Sequence, residues 1–262
     1  MDEIRDIPVE TAAAGDKLFR AQLARVGAVP RQLKISRRRF DLEATETGKK
    51  RSPLYYVHAG YGDSKYPQEF TLTRIGFRER FKGQRLSLAA LKAVFGMMFE
   101  SSVPAMIIQG VNEDGRTFWP RFGAVPLFEP AGLAAEIAAI MAKNAKAFPE
   151  GSEEFARLSR VRAVAEKNPY LGFRMLAECE VKLPNRTYFR DDVFNRVCVD
   201  MDMIIIPSEP GTAAMLDERL GTMPVFPPVP RDKPRFRDIC AKLADHSAVP
   251  PAPPGPRPAG AG

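Results

Sequence analysis

The sequence predicts a mixed α/β domain, a twisted sheet flanked by helices, followed by a helical extension and a disordered proline-rich tail. Three observations carry this. Residues 38–77 alternate apolar and polar positions in short runs broken by polar turns, which is the period of strands. The run "LSLAALKAVFGMMF" is an apolar helix set between the strand-like stretches "TLTRIGF" and "AMIIQGV", and a parallel pair of strands needs such a crossover. Past Pro149 the pattern turns helical, and the chain closes on "AVPPAPPGPRPAGAG". The expected division is an α/β domain over 1–148, an extension over 149–234 and a low-complexity tail over 235–262.

With 262 residues, 45% of them apolar, the chain can bury a sizeable core. Its longest apolar stretch carries Lys92 and is shorter than the roughly 20 residues of a membrane-spanning helix, so no span is expected. The opening "MDEIRDIPVE" has no apolar core of a secretory signal, which predicts a cytoplasmic location. Three scattered cysteines (Cys179, Cys198, Cys240) without a CxxC pair argue against a disulfide framework and read as core residues, Cys198 above all. With His58 and His246 as its only histidines, the chain has little material for a zinc site or a serine triad, and both read as structural or surface residues.

The formal charge of +7 is concentrated. Residues 1–60 hold 12 Lys/Arg against 8 Asp/Glu, whereas 131–262 are nearly balanced at 18 against 17, so the excess lies in "RQLKISRRRF" and "TGKKRS". These clusters are either a solvated helix face and a hairpin turn or a surface for nucleic acid, an acidic protein or a polyphosphate.

Element by element, "AAAGDKLFRAQLARVGAVP" spaces Leu18, Phe19, Leu23 and Val26 as a helix that Gly27 stops. "RRFDLEATETGKKRSPLYYVHAGY" reads as two strands around a Gly-Lys turn, and "QEFTLTRIGF" as a third. In the apolar helix, Leu88, Leu91, Phe95, Met98 and Phe99 share a side and Ser87 caps the start. "AMIIQGV" is a short buried strand, "NEDGRTFWPRFGA" a turn and short helix, and "AGLAAEIAAIMAKNAKAF" a long helix. In the extension, "SEEFARLSRVRAVAEKN", "YLGFRMLAE" and "GTAAMLDERLG" are helical, "RVCVDMDMIIIP" is a strand, and "VFPPVPRDKP" is extended.

The turn between "LTRIGF" and the apolar helix holds Arg78, Arg80, Lys82 and Arg85 at the place where helix N-terminal amides can receive an anion. Its residues resemble the acyl-coenzyme A loop of the GNAT superfamily of N-acetyltransferases, LxVxPxYRGxGIG. "IGFRERFKGQRLS" aligns to it without a gap: Ile75 and Phe77 take the strand positions, Phe81 the aromatic, Lys82 the basic residue, Gly83 the first glycine and Leu86 the aliphatic. "NEDGRTFWPRFGA" is similar to the second GNAT signature, NxxAxxLYxKxGF, through Asn112, Gly115, Phe118, Arg121, Phe122 and Gly123. The resemblance covers roughly residues 15–130 and implies a GNAT-like sheet and acyl transfer from a thioester to an amine. It assigns Phe77, Arg78, Lys82, Gly83, Gln84, Arg85, Leu86, Ser87, Asn112 and Trp119 to the thioester site.

The departures are informative. Arg85 and Ser87 stand where the family has its later glycines, and Trp119 stands where it has the tyrosine that often protonates the leaving thiolate. An indole has no such proton to give. Arg85 either blocks the close approach of a pyrophosphate or reaches it as a bidentate donor. These losses fit a donor that is an acyl carrier protein, of which only the phosphopantetheine need be held, as in the relatives that make acyl-homoserine lactones or N-acyl amino acids; their Ser/Thr-Arg strand resembles "LTRIGF". A basic N-terminal half suits an acidic carrier protein. They fit equally a catalytically inactive GNAT-fold binding or regulatory protein whose basic face takes nucleic acid or an acidic partner.

Glu69 is the candidate general base for the amine, or else a solvated carboxylate at a strand end. Trp119 either stacks on the pantetheine arm or plugs the core. Tyr55, Tyr56, Tyr61 and Tyr66 are candidates for the missing acid, and "YGDSKY", residues 61–66, is an acceptor lid or a hairpin turn. Asp200 and Asp202 alternate on a strand and read as a polar face without a third ligand.

Overall fold

The computed structural model describes residues 11–25, 28–36, 39–46, 55–77, 86–111, 113–198 and 201–249. Helix α1 (Ala12–Arg25) begins where the Thr11 hydroxyl accepts from the Ala14 amide, and it buries Leu18, Phe19 and Leu23 as their spacing requires. Strands β1 (Ala28–Ser36), β2 (Arg39–Glu46), β3 (Tyr55–Gly60) and β4 (Thr71–Phe77) follow as an antiparallel meander. "RQLKIS" therefore lies on a strand, which removes the helix-face reading of that part of the basic cluster. β1 tolerates Pro30 because it is an edge strand, and its register slips between Pro30 and Gln32.

Helix α2 (Leu86–Glu100) crosses over to β5 (Met106–Ile108), which runs parallel to β4. Every residue from Ala89 to Met98 is buried, so this helix has no solvent face. It is covered by α1, where Gly15 lets the backbones meet at Ala93, and by Phe226, whose ring packs edge-on against Phe95 and Phe99 at 6.1 and 5.9 Å. Ser87 lies inside the helix and not at its cap.

After α3 (Glu113–Phe118) and a 3-10 turn (Trp119–Phe122), Gly123 takes φ 79°, a left-handed conformation that favours glycine, and a Cβ there would meet Thr212 Cγ2 at 2.8 Å. β6 (Val125–Pro126), α4 (Leu133–Lys143), α5 (Glu153–Lys167), α6 (Pro169–Ala177) and α7 (Phe189–Val197) lead to β7 (Met203–Ile205), and α8 (Pro210–Leu220) and α9 (Pro234–Ala244) complete the order.

The sheet is mixed and open, in the order β1-β2-β3-β4-β5-β7-β6, and among the described residues β4/β5 is its only parallel pair. Strand β7, from the stretch expected as an extension, lies between β5 and β6, so residues on both sides of 148 build one sheet and share one core. Residues 235–244, expected in the tail, belong to α9, because Phe236, Ile239 and Leu243 recur on one side and are buried. The strand expected over "RVCVDMDMIIIP" shortens to three residues, its first part belonging to α7. Among the described residues no helix is long and apolar enough to cross a membrane.

Candidate functional site

The two parallel strands separate almost as soon as they meet. β4 and β5 pair only at Thr71 with Ile107 and Leu72 with Ile108, and the Gln109 amide still donates to Leu72 O at 3.1 Å. At the next residue, Gly110, φ is 54°, and its amide donates to Asp202 Oδ1 at 3.0 Å; the Val111 amide then donates to Met201 O. The chain has left β4 for the start of β7. β4 runs on, paired with β3 as far as Phe77 opposite Tyr55. From Thr73 to Phe77 its β5-facing edge has no strand partner among the described residues. In sequence β4 is followed by the basic stretch 78–85 and then by α2, whose first-turn amides have no partner within the helix.

A polar knot sits where the strands part. The Asp202 carboxylate, buried, accepts from Lys65 Nζ and Tyr66 OH, both at 2.6 Å, besides the Gly110 amide. Asp63 accepts from Gln109 Nε2 at 2.6 Å and from the Lys65 amide at 2.7 Å. The 61–66 loop is thus tied by side chains to the end of β5 and the start of β7. Burial pushes the Asp202 carboxyl up, but the hydrogen bonds from Lys65, Tyr66 and the Gly110 amide outweigh it, and the group lies below the usual aspartate range. Burial and the bond to Asp202 hold Tyr66 above the usual tyrosine range, so its proton is committed to Asp202. Replacing Asp202 with asparagine should cost about 2 kcal/mol, the scale of hydrogen bonds to a charged group. Hydrogen exchange is expected to show faster exchange in 61–66 and at Gly110, with α2 unchanged.

The expected site residues divide. Leu86 is buried at the start of α2, Ser87 is the next residue of that helix, and Phe77 ends β4. Arg78, Lys82, Gly83, Gln84, Arg85 and Asn112 lie outside the described residues. Glu69 precedes β4, at the end of the strand away from the basic turn, and its Oε1 is 2.5 Å from Lys233 Nζ; the structure does not bring it to the open edge. Trp119 is 3% exposed and packs edge-on against Phe118 at 4.9 Å, so it plugs the core and offers no face to a pantetheine arm. Tyr61 packs edge-on against Phe70. Asp200 is outside the described residues. Burial pushes the Cys198 thiol up to about 12, which leaves it protonated and poorly nucleophilic.

One pair escaped the sequence. Asp41 on β2 stands opposite His58 on β3, and Oδ1 and Nδ1 are 2.9 Å apart. No local motif joins residues 17 apart; only the strand register does.

Comparison with family models, with curated proteins and with solved structures finds no match for this chain.

Proposed function

We propose that the chain is an N-acyltransferase of GNAT type that moves an acyl group from a thioester, acyl-coenzyme A or acyl carrier protein, to an amine. The observation that carries this reading is the parting of β4 from β5 after Leu72. A pantetheine arm carries amide groups that can pair with an open strand edge as a further strand would. A thioester carbonyl lying along the same edge can accept from a β4 amide, which would polarise it for attack. In sequence, Arg78, Lys82, Gly83 and Arg85 lie between that strand and the first amides of α2, the position from which phosphate would be held.

The rival reading, a GNAT-fold binding protein for nucleic acid or an acidic protein, draws on Glu69 being paired with Lys233 away from the edge and on Trp119 being buried. Thermal unfolding separates the two. With a donor near 100 times its Kd, binding contributes about 2.7 kcal/mol, on the order of 5–10 °C for a chain of this size. We expect such a shift with one of acetyl-coenzyme A, a long-chain acyl-coenzyme A or an acylated carrier protein, and its loss in Lys82→Ala and Arg85→Ala. No shift with any donor, together with polyanion binding that weakens steeply with salt, would favour the rival.

A further inference from the structure

Four observations converge on His58. Asp41, His58 and Arg74 occupy directly opposite positions on β2, β3 and β4. The neighbours of His58 along β3, Val57 and Ala59, are buried in the core, so alternation places His58 on the other face of the sheet. The pairing of β3 with β4 shifts between His58 and Ala59, which leaves Thr73 as the extra residue of a bulge. Thr73 is also the first residue of β4 beyond the last pair with β5. A bulge re-aims side chains locally, and this one lies beside His58, one strand or about 4.8 Å from the strand with the open edge.

The chemistry of the pair follows from its burial. The Asp41 side chain is 5% exposed and that of His58 24%, so the carboxylate is enclosed while the ring reaches the surface. A carboxylate can only accept, so Nδ1 donates to Asp41, and in the neutral ring the lone pair then sits on Nε2. Among the described residues Nε2 has no hydrogen-bond partner.

We infer that His58 is the general base of the acyl transfer and Asp41 the residue that positions it, an assignment that rests on the acyltransferase reading above. The amine nitrogen attacks the thioester carbonyl carbon, a C–N bond forms and the C–S bond breaks. His58 Nε2 takes the proton that the amine loses, directly or through one water. The thiolate leaves and takes a proton from solvent, and the imidazolium returns its proton to water. The charged groups the register sets around His58 are Asp41 and Arg74, and Asp41 stabilises the imidazolium as it forms.

The test uses the full chain and the donor that shifts its unfolding temperature, with thiol release followed in the presence of a panel of amino acids as amines. His58→Gln is expected to lower kcat by on the order of 10²-fold or more while the donor-induced shift persists. Asp41→Asn should lower kcat with KM unchanged, a split that a merely structural residue would not give. The fold of each variant is checked by circular dichroism. In the His246→Gln background, where His58 is the only histidine, diethyl pyrocarbonate should abolish turnover and bound donor should protect it; this arm needs no change at the β2–β3 pair. Turnover unchanged in His58→Gln would overturn the assignment and leave the acyltransferase standing. Donor binding without amine-dependent thiol release in the unaltered chain would also overturn it. Absence of binding by every donor would remove the acyltransferase reading itself, and the assignment with it.

Discussion

Glu209→Ala is expected to destabilise the protein by about 3–5 kcal/mol, the cost of leaving a buried charge without its partner. In "PSEPGTAAMLDE" Glu209 precedes Pro210, which suits the first position of a helix, and it caps α8 by accepting from the Gly211 and Thr212 amides at 3.1 and 2.7 Å. The same carboxylate lies 2.6 Å from Arg174 Nη2 on α6, and Arg174 also donates to the Thr212 hydroxyl at 2.8 Å. One side chain therefore joins α8 to α6, with both partners buried. Burial pushes the Glu209 carboxyl up, and the hydrogen bond and charge of Arg174, with the two amides, bring it below the usual glutamate range. A depressed folded value means that the contribution is complete above about pH 4.3, the unfolded value, and is lost as pH falls through the folded one. Urea unfolding at pH 7 should show the full loss in Glu209→Ala. Between about pH 4.3 and lower values the variant should lose less stability than the unaltered protein, because it lacks this carboxylate. Equal acid sensitivity of the two would refute the coupling. Replacing both members, as in Arg174→Met with Glu209→Gln, should cost less than either Arg174→Met or Glu209→Ala alone.

Gly172→Val should cost about 3 kcal/mol, a fall in Tm of roughly 6–12 °C. Gly172 is on α6, and a Cβ there would lie 2.4 Å from Ala165 Cα and 2.8 Å from Ala165 N. The obstacle is the backbone of α5, which cannot swing aside as a long side chain can, so the two helices must separate. Separation withdraws Phe173 and Leu176, both fully buried, from their contacts. Helix propensity favours most residues over glycine, so a stabilised variant would mean that the helices do not pack this closely. Calorimetry of Gly172→Ala and Gly172→Val decides it, with the valine variant expected to be the less stable.

Several elements could be read from local spacing because the information is local. The helical period from Ala12 and the apolar run from Leu86 need no knowledge of the rest of the chain, and the alternation around Asp41, Val57 and Leu72 is equally self-contained. Both edge strands carry a proline, Pro30 in β1 and Pro126 in β6, where a missing amide costs no ladder bond. Other elements were legible only in part. The strand expected over "RVCVDMDMIIIP" is three residues long in β7, and α9 follows a proline-crowded segment that disguised its Phe236, Ile239 and Leu243 stripe.

The candidate site divides along the same line. The basic stretch between strand and helix is visible because its residues are contiguous, from Arg78 to Arg85. Glu69 looked free because Lys233 is 164 residues away, and Asp202 looked like one half of a strand-face pair because Lys65 and Tyr66 reach it from another loop. Charge and period, as properties of neighbouring residues, already mark a basic stretch between a strand and an apolar helix in an α/β chain. Tertiary structure alone decided that β5 abandons β4 after Leu72, that Asp41 meets His58, and that Glu209 meets Arg174. Those contacts depend on strand register and helix docking, which are set by the packing of the whole core and leave no trace in the spacing of any one segment.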